Sequence, residues 1–219
     1  MANRKKDITK IIKSIAGKYS EYEIFSDWIK CSAIAMDNSL NFFHDKVWQD
    51  RENAYMDTMK KYTLEERTHF INMLALLTET FEDYVSDVLG EIYMEAGMGS
   101  KAAGQFFTPF HLSEMVASLA DVKPDENGIY HVNEPSTGGG GMIIAYAKVL
   151  KDKGINYQKC MDVVAQDLDW KGVYMTYLQC SLLGIPAIVV QGDSLLEPYR
   201  KSYPKERVLI TPAKRGLLI

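Results

Sequence analysis

Glu134-Pro135-Ser136-Thr137-Gly138-Gly139-Gly140-Gly141-Met142 lies between two apolar runs, Ile129-Tyr130-His131-Val132-Asn133 and Ile143-Ile144-Ala145-Tyr146-Ala147. The first reads as a strand and the second as the start of a helix. A glycine turn between them lets backbone N–H groups approach an anionic or polar ligand at the helix N-terminus. Three readings compete. A P-loop ends in Gly-Lys-Ser/Thr, whereas this turn ends Gly-Gly-Met, so that reading fails. The dinucleotide fingerprint needs a third glycine three residues after the second; counted from Gly138 and Gly140, that position is Ile143. A loop without a ligand is the plain alternative, and four consecutive glycines weigh against it because each costs backbone entropy. The acid at the strand end, Glu134, disfavours a phosphate and suits a cationic amine. The combination points to S-adenosylmethionine.

Downstream, strands are predicted at 161–166, 187–191 and 207–211 in addition to 129–133, and helices at 111–121, 141–153 and 170–183. Strand–helix–strand order with β-branched strands implies an α/β domain with a parallel sheet, helices on its faces and ligands beyond the carboxyl ends of the strands. Two more acids fall at that edge. Asp167 follows Val163-Val164-Ala165-Gln166, where a carboxylate suits ribose hydroxyls, and Asp193 follows Val189-Val190-Gln191-Gly192, where it suits an exocyclic adenine amine. One acidic strand end means little; three in succession are harder to assign to solvated loops.

Upstream, the pattern is helical to about Gly99. Tyr22, Phe25, Trp28, Ile29 and Ser32 share helical spacing over 21–36, as do Phe42, Val47, Trp48 and Tyr55 over 41–61. Thr63-Leu64-Glu65-Glu66 has the form of a capping box. It opens a stripe through Phe70, Met73, Leu74, Leu77, Phe81, Tyr84, Val85, Val88 and Leu89, assigned to core packing. Gly97-Met98-Gly99-Ser100-Lys101 reads as a break, giving a helical domain over 1–100 and a cofactor domain over 101–219.

Composition sets outer bounds. The 219 residues, 47% hydrophobic and 25% charged, describe an ordinary globular chain with a core. A net charge of −4 gives no global pull toward nucleic acid. No run is long enough for a membrane span and no signal-peptide core follows Met1, so a cytoplasmic protein is expected. Cys31, Cys160 and Cys180 form neither a disulfide framework nor a zinc pattern, and His44, His69, His111 and His131 share no ligand spacing, so no metal is expected.

The residues resemble the adenine-N6 DNA methyltransferases of the type I restriction-modification kind. Gly104-Gln105-Phe106-Phe107-Thr108-Pro109 is similar to that family's opening cofactor motif, GQFFTP or GQYYTP. Glu134 to Met142 is similar to its acid-Pro-Ala-Cys-Gly-Ser-Gly-Gly-Phe motif, with Ser136 and Thr137 in place of Ala and Cys. Asp87-Val88-Leu89-Gly90-Glu91-Ile92-Tyr93-Met94 resembles the helical N-terminal part of these subunits. The resemblance implies a Rossmann-like S-adenosylmethionine-dependent sheet and a role for each motif residue. Phe107, Thr108 and Pro109 would hold the methionine end of the cofactor; Glu134, Pro135 and the Gly138–Gly140 backbone its amino-acid moiety; Asp167 the ribose; Asp193 the adenine.

One motif departs. Where the family has Asn-Pro-Pro-Phe or Asp-Pro-Pro-Tyr, this chain reads Thr211-Pro212-Ala213-Lys214. The family's polar group and prolyl carbonyl accept from the target N6 amine, and its aromatic stacks on the flipped base. Thr211 and Pro212 are the catalytic candidates that remain, and losing the aromatic alone costs about 1–3 kcal/mol per base. The sheet also reads as incomplete at its C-terminal end. Methyl transfer to DNA is therefore expected of the family, with a specificity subunit and methylase or restriction subunits as partners, and not of this chain alone. The alternative is an inactive homologue that binds S-adenosylmethionine or a partner and regulates or mimics a methylase subunit. Lys214-Arg215 is the candidate phosphate contact.

Overall fold

The computed structural model describes residues 2–97, 107–120 and 122–217. Gly104-Gln105-Phe106, most of the predicted break after Gly97, and Leu218-Ile219 lie outside the described residues. Two compact units are present: Met1–Tyr84 with Ile92–Gln105, and Val85–Glu91 with Phe106–Ile219.

The first unit is helical: α1 (Ala2–Ile15), α2 (Glu21–Ser39), α3 (Lys46–Met59), α4 (Leu64–Asp83) and the latter half of α5 (Val88–Glu95). Two capping boxes set its starts. Ser20 Oγ accepts from Glu23 N at 3.2 Å and Ser20 N donates to Glu23 Oε2 at 2.9 Å. Thr63 and Glu66 exchange the same pair at 3.3 and 2.7 Å, as the sequence predicts. Ile24, Phe25, Trp28, Ile29, Met73 and Leu77 are fully buried, and Trp28 Nε1 donates to the Phe70 carbonyl at 3.1 Å, which satisfies the indole in the core.

Two expectations need correction. Residues 41–45 are not helical: Phe42 is 81% exposed, and α3 begins only where Asp45 accepts from Trp48 N at 2.9 Å. An Asp that can cap competes with continuation of a helix through it. The long stripe likewise breaks. Tyr84 is extended, with φ −138° and ψ 140°, and α5 restarts beyond Asp87, whose carboxylate accepts from Gly90 N at 3.0 Å.

The second unit contains α6 (Phe110–Leu119), β1 (Tyr130–Glu134), α7 (Gly141–Asp152), a single turn α8 (Tyr157–Cys160), β2 (Met161–Asp167), α9 (Trp170–Leu182), β3 (Ala187–Gln191), a 3-10 turn at Lys205–Arg207 and β4 (Val208–Ile210). Strand order follows chain order, β1-β2-β3-β4. The first three strands are parallel, with Glu134 beside Ala165 and Asp167 beside Gln191. The fourth is antiparallel, pairing Ile188 with Ile210 and Val190 with Val208, so the sheet is mixed rather than parallel throughout. By the right-handed rule for crossovers between adjacent parallel strands, α7 and α9 fall on one face of the sheet. Val163, Ala165, Ala187 and Val189 are fully buried on it, whereas Asp162, Val164 and Ile188 of the other face are half-buried. A cavity of about 340 Å³ opens on that other face, bounded by Asn133, Val164, Gln166 and Tyr199 among others.

Candidate functional site

The glycine turn links the end of β1 to the start of α7. Gly138 and Gly140 have φ of +53° and +91°, the left-handed region that other residues rarely adopt. Gly140 is the N-cap of α7 and supplies no side-chain cap, so the first amides of the helix are left to a ligand or solvent. A Cβ on Gly138 would meet the Phe107 ring at 2.9 Å, which brings the described half of the opening motif directly against the turn. Thr108 and Pro109 are exposed beside it, and Pro109 starts α6 by accepting from Leu112 N at 2.9 Å.

Helix α9 grips the turn through two side chains three residues apart, hence on one helix face. Thr176 Oγ1 donates to the Gly138 carbonyl at 3.0 Å and lies 3.1 Å from Thr137 Oγ1. Gln179 Nε2 donates to the Gly139 carbonyl at 2.7 Å. A trans peptide holds its C=O and N–H on opposite sides. Fixing the Gly138 carbonyl toward α9 therefore turns the Gly139 N–H away from that helix.

The three acids sit at the carboxyl ends of three adjacent parallel strands. Glu134 closes β1 and accepts from Ser136 N at 3.2 Å, while Pro135, between them, is exposed. Asp167 closes β2 and accepts from Gly138 N at 2.8 Å and Asp169 N at 2.9 Å. Asp193 follows β3 and accepts from Leu195 N and Leu196 N at 2.9 and 3.1 Å. Gln166 pins the segment after Asp193, donating to the Glu197 carbonyl at 2.9 Å and accepting from Tyr199 N at 3.1 Å. Phe107, Glu134, Gly138, Gly140, Asp167 and Asp193 thus gather at one edge of the sheet.

Thr211 and Pro212 do not join them. Because β4 runs antiparallel, its end lies by the start of β3: Thr211 N donates to the Ala187 carbonyl at 3.0 Å. Thr211 Oγ1 accepts from Ala187 N and donates to the Ile185 carbonyl, both at 2.9 Å, and the side chain is fully buried. Counted along β3, it stands roughly 20 Å from the edge that carries Asp193, at about 3.3 Å per residue. Lys214 is ion-paired with Asp162 at that opposite edge and is not at the glycine turn.

Three residues at the turn carry no site role in the sequence reading: Asp87, which enters it only as part of the N-terminal resemblance, and Thr176 and Gln179, which do not enter it. Asp87 is 3% exposed, and burial pushes its carboxyl up to about 6, opposed by its bonds from Gln179 and Gly90 N. The available signal was Thr176 and Gln179 as a polar pair at i, i+3 in the otherwise apolar 173–180 run. Among the described residues, no helix is long and apolar enough to cross a membrane, and no three His, Cys, Asp or Glu residues are grouped to hold a metal.

Three parallel strands, the first ending in an acid and a glycine turn and the next two ending in or followed by further acids, form the core of a mixed sheet of the kind found in S-adenosylmethionine-dependent methyltransferases. The chain is similar to a solved putative class I S-adenosylmethionine-dependent methyltransferase of Listeria monocytogenes, with TM-score 0.53 and 10% identity over 89% of this chain and 55% of that one. It also resembles the methyltransferase subunit of a type I restriction-modification system from Streptococcus thermophilus, with TM-score 0.43 and 16% identity over 78% of this chain and 36% of that one. Residues 84–212 match the N-6 DNA methylase family, and the chain belongs to that family. The methylase subunit of the type I restriction enzyme MjaIX from Methanocaldococcus jannaschii is 26% identical over 133 residues, 58% of this chain. The chain spans only 23% of that relative's length.

Proposed function

We propose that this chain binds S-adenosylmethionine and forms the cofactor half of an adenine-N6 DNA methyltransferase of a restriction-modification system. The observation that carries the reading is the placing of Glu134, Asp167 and Asp193 on three adjacent strand ends around the uncapped start of α7. The ligand fits this donor set. Its ammonium suits Glu134, its carboxylate the α7 amides, its ribose hydroxyls Asp167 and its adenine amine Asp193. Phe107, Thr108, Pro109 and Pro135 then border the methionine end, with the glycine turn beneath it. When bound, the cofactor supplies an activated methyl group on a sulfonium. The chain's own residues bind and orient it; Thr211, committed to the sheet by its two buried bonds, does not accept from a target amine there. DNA is the substrate class, presented with a specificity subunit, in the cytoplasm, and residues 1–100 serve as the helical domain of such a subunit.

Calorimetric titration of S-adenosylmethionine, with Asp167→Ala as control, tests the cofactor reading. Saturable binding that the variant lacks supports it; absence of binding by the parent chain overturns it. A second reading, a non-catalytic homologue that binds cofactor or partner, is favoured by the position of Thr211. Transfer of a radiolabelled methyl group to DNA by this chain alone would overturn that second reading.

A further inference from the structure

Asp87 comes from the segment that precedes α5, yet it lies under the glycine turn within the second unit. Its Oδ1 accepts from Gly90 N at 3.0 Å and from Gln179 Nε2 at 2.7 Å. The same Nε2 donates to the Gly139 carbonyl at 2.7 Å, and Gln179 Oε1 accepts from Leu89 N at 3.0 Å. Gln179 is fully buried and Asp87 nearly so. One amide group therefore joins the start of α5, a buried carboxylate and the turn.

The packing around the carboxylate is close on several sides. A Cβ on Gly90 would meet Asp87 Oδ2 at 2.1 Å, and one on Gly141 would meet it at 2.9 Å. A Cβ on Gly139 would lie 3.6 Å from Oδ1 and 3.0 Å from the Met175 methyl. Gly139 and Gly141 are not in the left-handed region, unlike Gly138 and Gly140. Backbone conformation accounts for two of the four consecutive glycines. The approach of Asp87 accounts for Gly141 and, with Met175, bears on Gly139.

We propose that Asp87 and Gln179 are positioning residues for the ligand-binding turn. The carboxylate fixes the Gln179 amide, and the amide holds the Gly139 carbonyl inward, so the turn is set before any ligand arrives. An apolar pair would fill the space equally well, but it would leave the Gly139 carbonyl without a partner. The inference rests on the reading that this turn receives the cofactor, although its effect on the turn can be read without one.

Hydrogen exchange at Gly138–Ile143 and at β2, measured beside S-adenosylmethionine titration, separates the two. Gln179→Ala and Asp87→Ala are expected to speed exchange at the turn and weaken binding by roughly tenfold, the effect of one or two lost hydrogen bonds, with β2 protection retained. Asp87→Asn keeps an acceptor for both donors and is expected to restore parent-like protection at the turn. Should Asp87→Ala fail to fold, Gln179→Met, which keeps the length of the side chain but carries no N–H donor, is expected to match Gln179→Ala. Parent-like exchange and affinity in Gln179→Ala and Gln179→Met would overturn the proposal. So would loosening of β2 and the turn to the same extent, which would make the pair a device of the fold alone. A parent chain with no affinity for the cofactor would sink the functional reading, and exchange at the turn would still decide the positioning role.

Discussion

The backbone amide of Gly138 donates to Oδ2 of Asp167 at 2.8 Å, fastening the glycine turn after β1 to the acid that closes β2. A residue read as a ribose acceptor is thus also part of the turn's own frame, because the second carboxylate oxygen accepts from Asp169 N. Removing it acts on both.

Asp167→Ala is accordingly expected to lower stability as well as affinity. Losing a hydrogen bond to a charged acceptor costs about 1.5–3 kcal/mol. Asp193→Ala, whose side chain bonds only within its own loop, is expected to cost less stability. Thermal melts of both variants beside calorimetry check this; equal melting temperatures would contradict the frame role of Asp167.

Gly138→Ala is expected to be among the more damaging single substitutions in the turn. It forces a Cβ into the left-handed region, about 1–2 kcal/mol, and against the Phe107 ring. Combining it with Phe107→Ala removes the steric part and leaves the backbone part. A double-mutant cycle on melting data should therefore show a coupling of about 0.5 kcal/mol or more. Strict additivity would mean that Phe107 does not lie on the turn.

Thr211→Ala separates stability from binding. The substitution leaves the Ala187 amide and the Ile185 carbonyl without their buried partner, at a cost of about 1–3 kcal/mol. Affinity for S-adenosylmethionine should stay at the parent value, since the hydroxyl is at the far edge of the sheet. A selective loss of affinity would return Thr211 to the site.

The Asp87 carboxyl, raised to about 6 chiefly by burial, gives stability a pH dependence of known sign. The folded state holds this proton more tightly than the unfolded chain. Its stabilisation is therefore complete below the ordinary value of 3.8 and is lost as pH rises through about 6. Asp87→Asn carries no charge and should match the parent near pH 4, then gain on it up to pH 8 by on the order of 3 kcal/mol. Melts across that range check it; a difference that does not change with pH would count against a buried charge at this position.

Much of the fold was legible because its signals are local. The Thr63–Glu66 box, the 187–191 strand and the start of α7 at Gly141 each depend on residues within one turn of one another. The three acids were legible for the same reason: each directly follows its own apolar run. The break at Tyr84 was not, because apolar spacing continues across it while Asp87 restarts the helix.

By itself, the sequence determined the order of elements, the glycine turn and the acids that end three strands, since turn chemistry and periodicity act over a few residues. Only the tertiary structure decided which way β4 runs. Val208-Leu209-Ile210 has the same apolar pattern in either direction, and pairing with β3 carries Thr211 to the wrong edge for the glycine turn. Tertiary structure likewise decided that Asp87 and Gln179, 92 positions apart, share a hydrogen bond beneath Gly139. No local pattern encodes such a pair; the cost of burying each polar group without a partner selects it once the chain has folded.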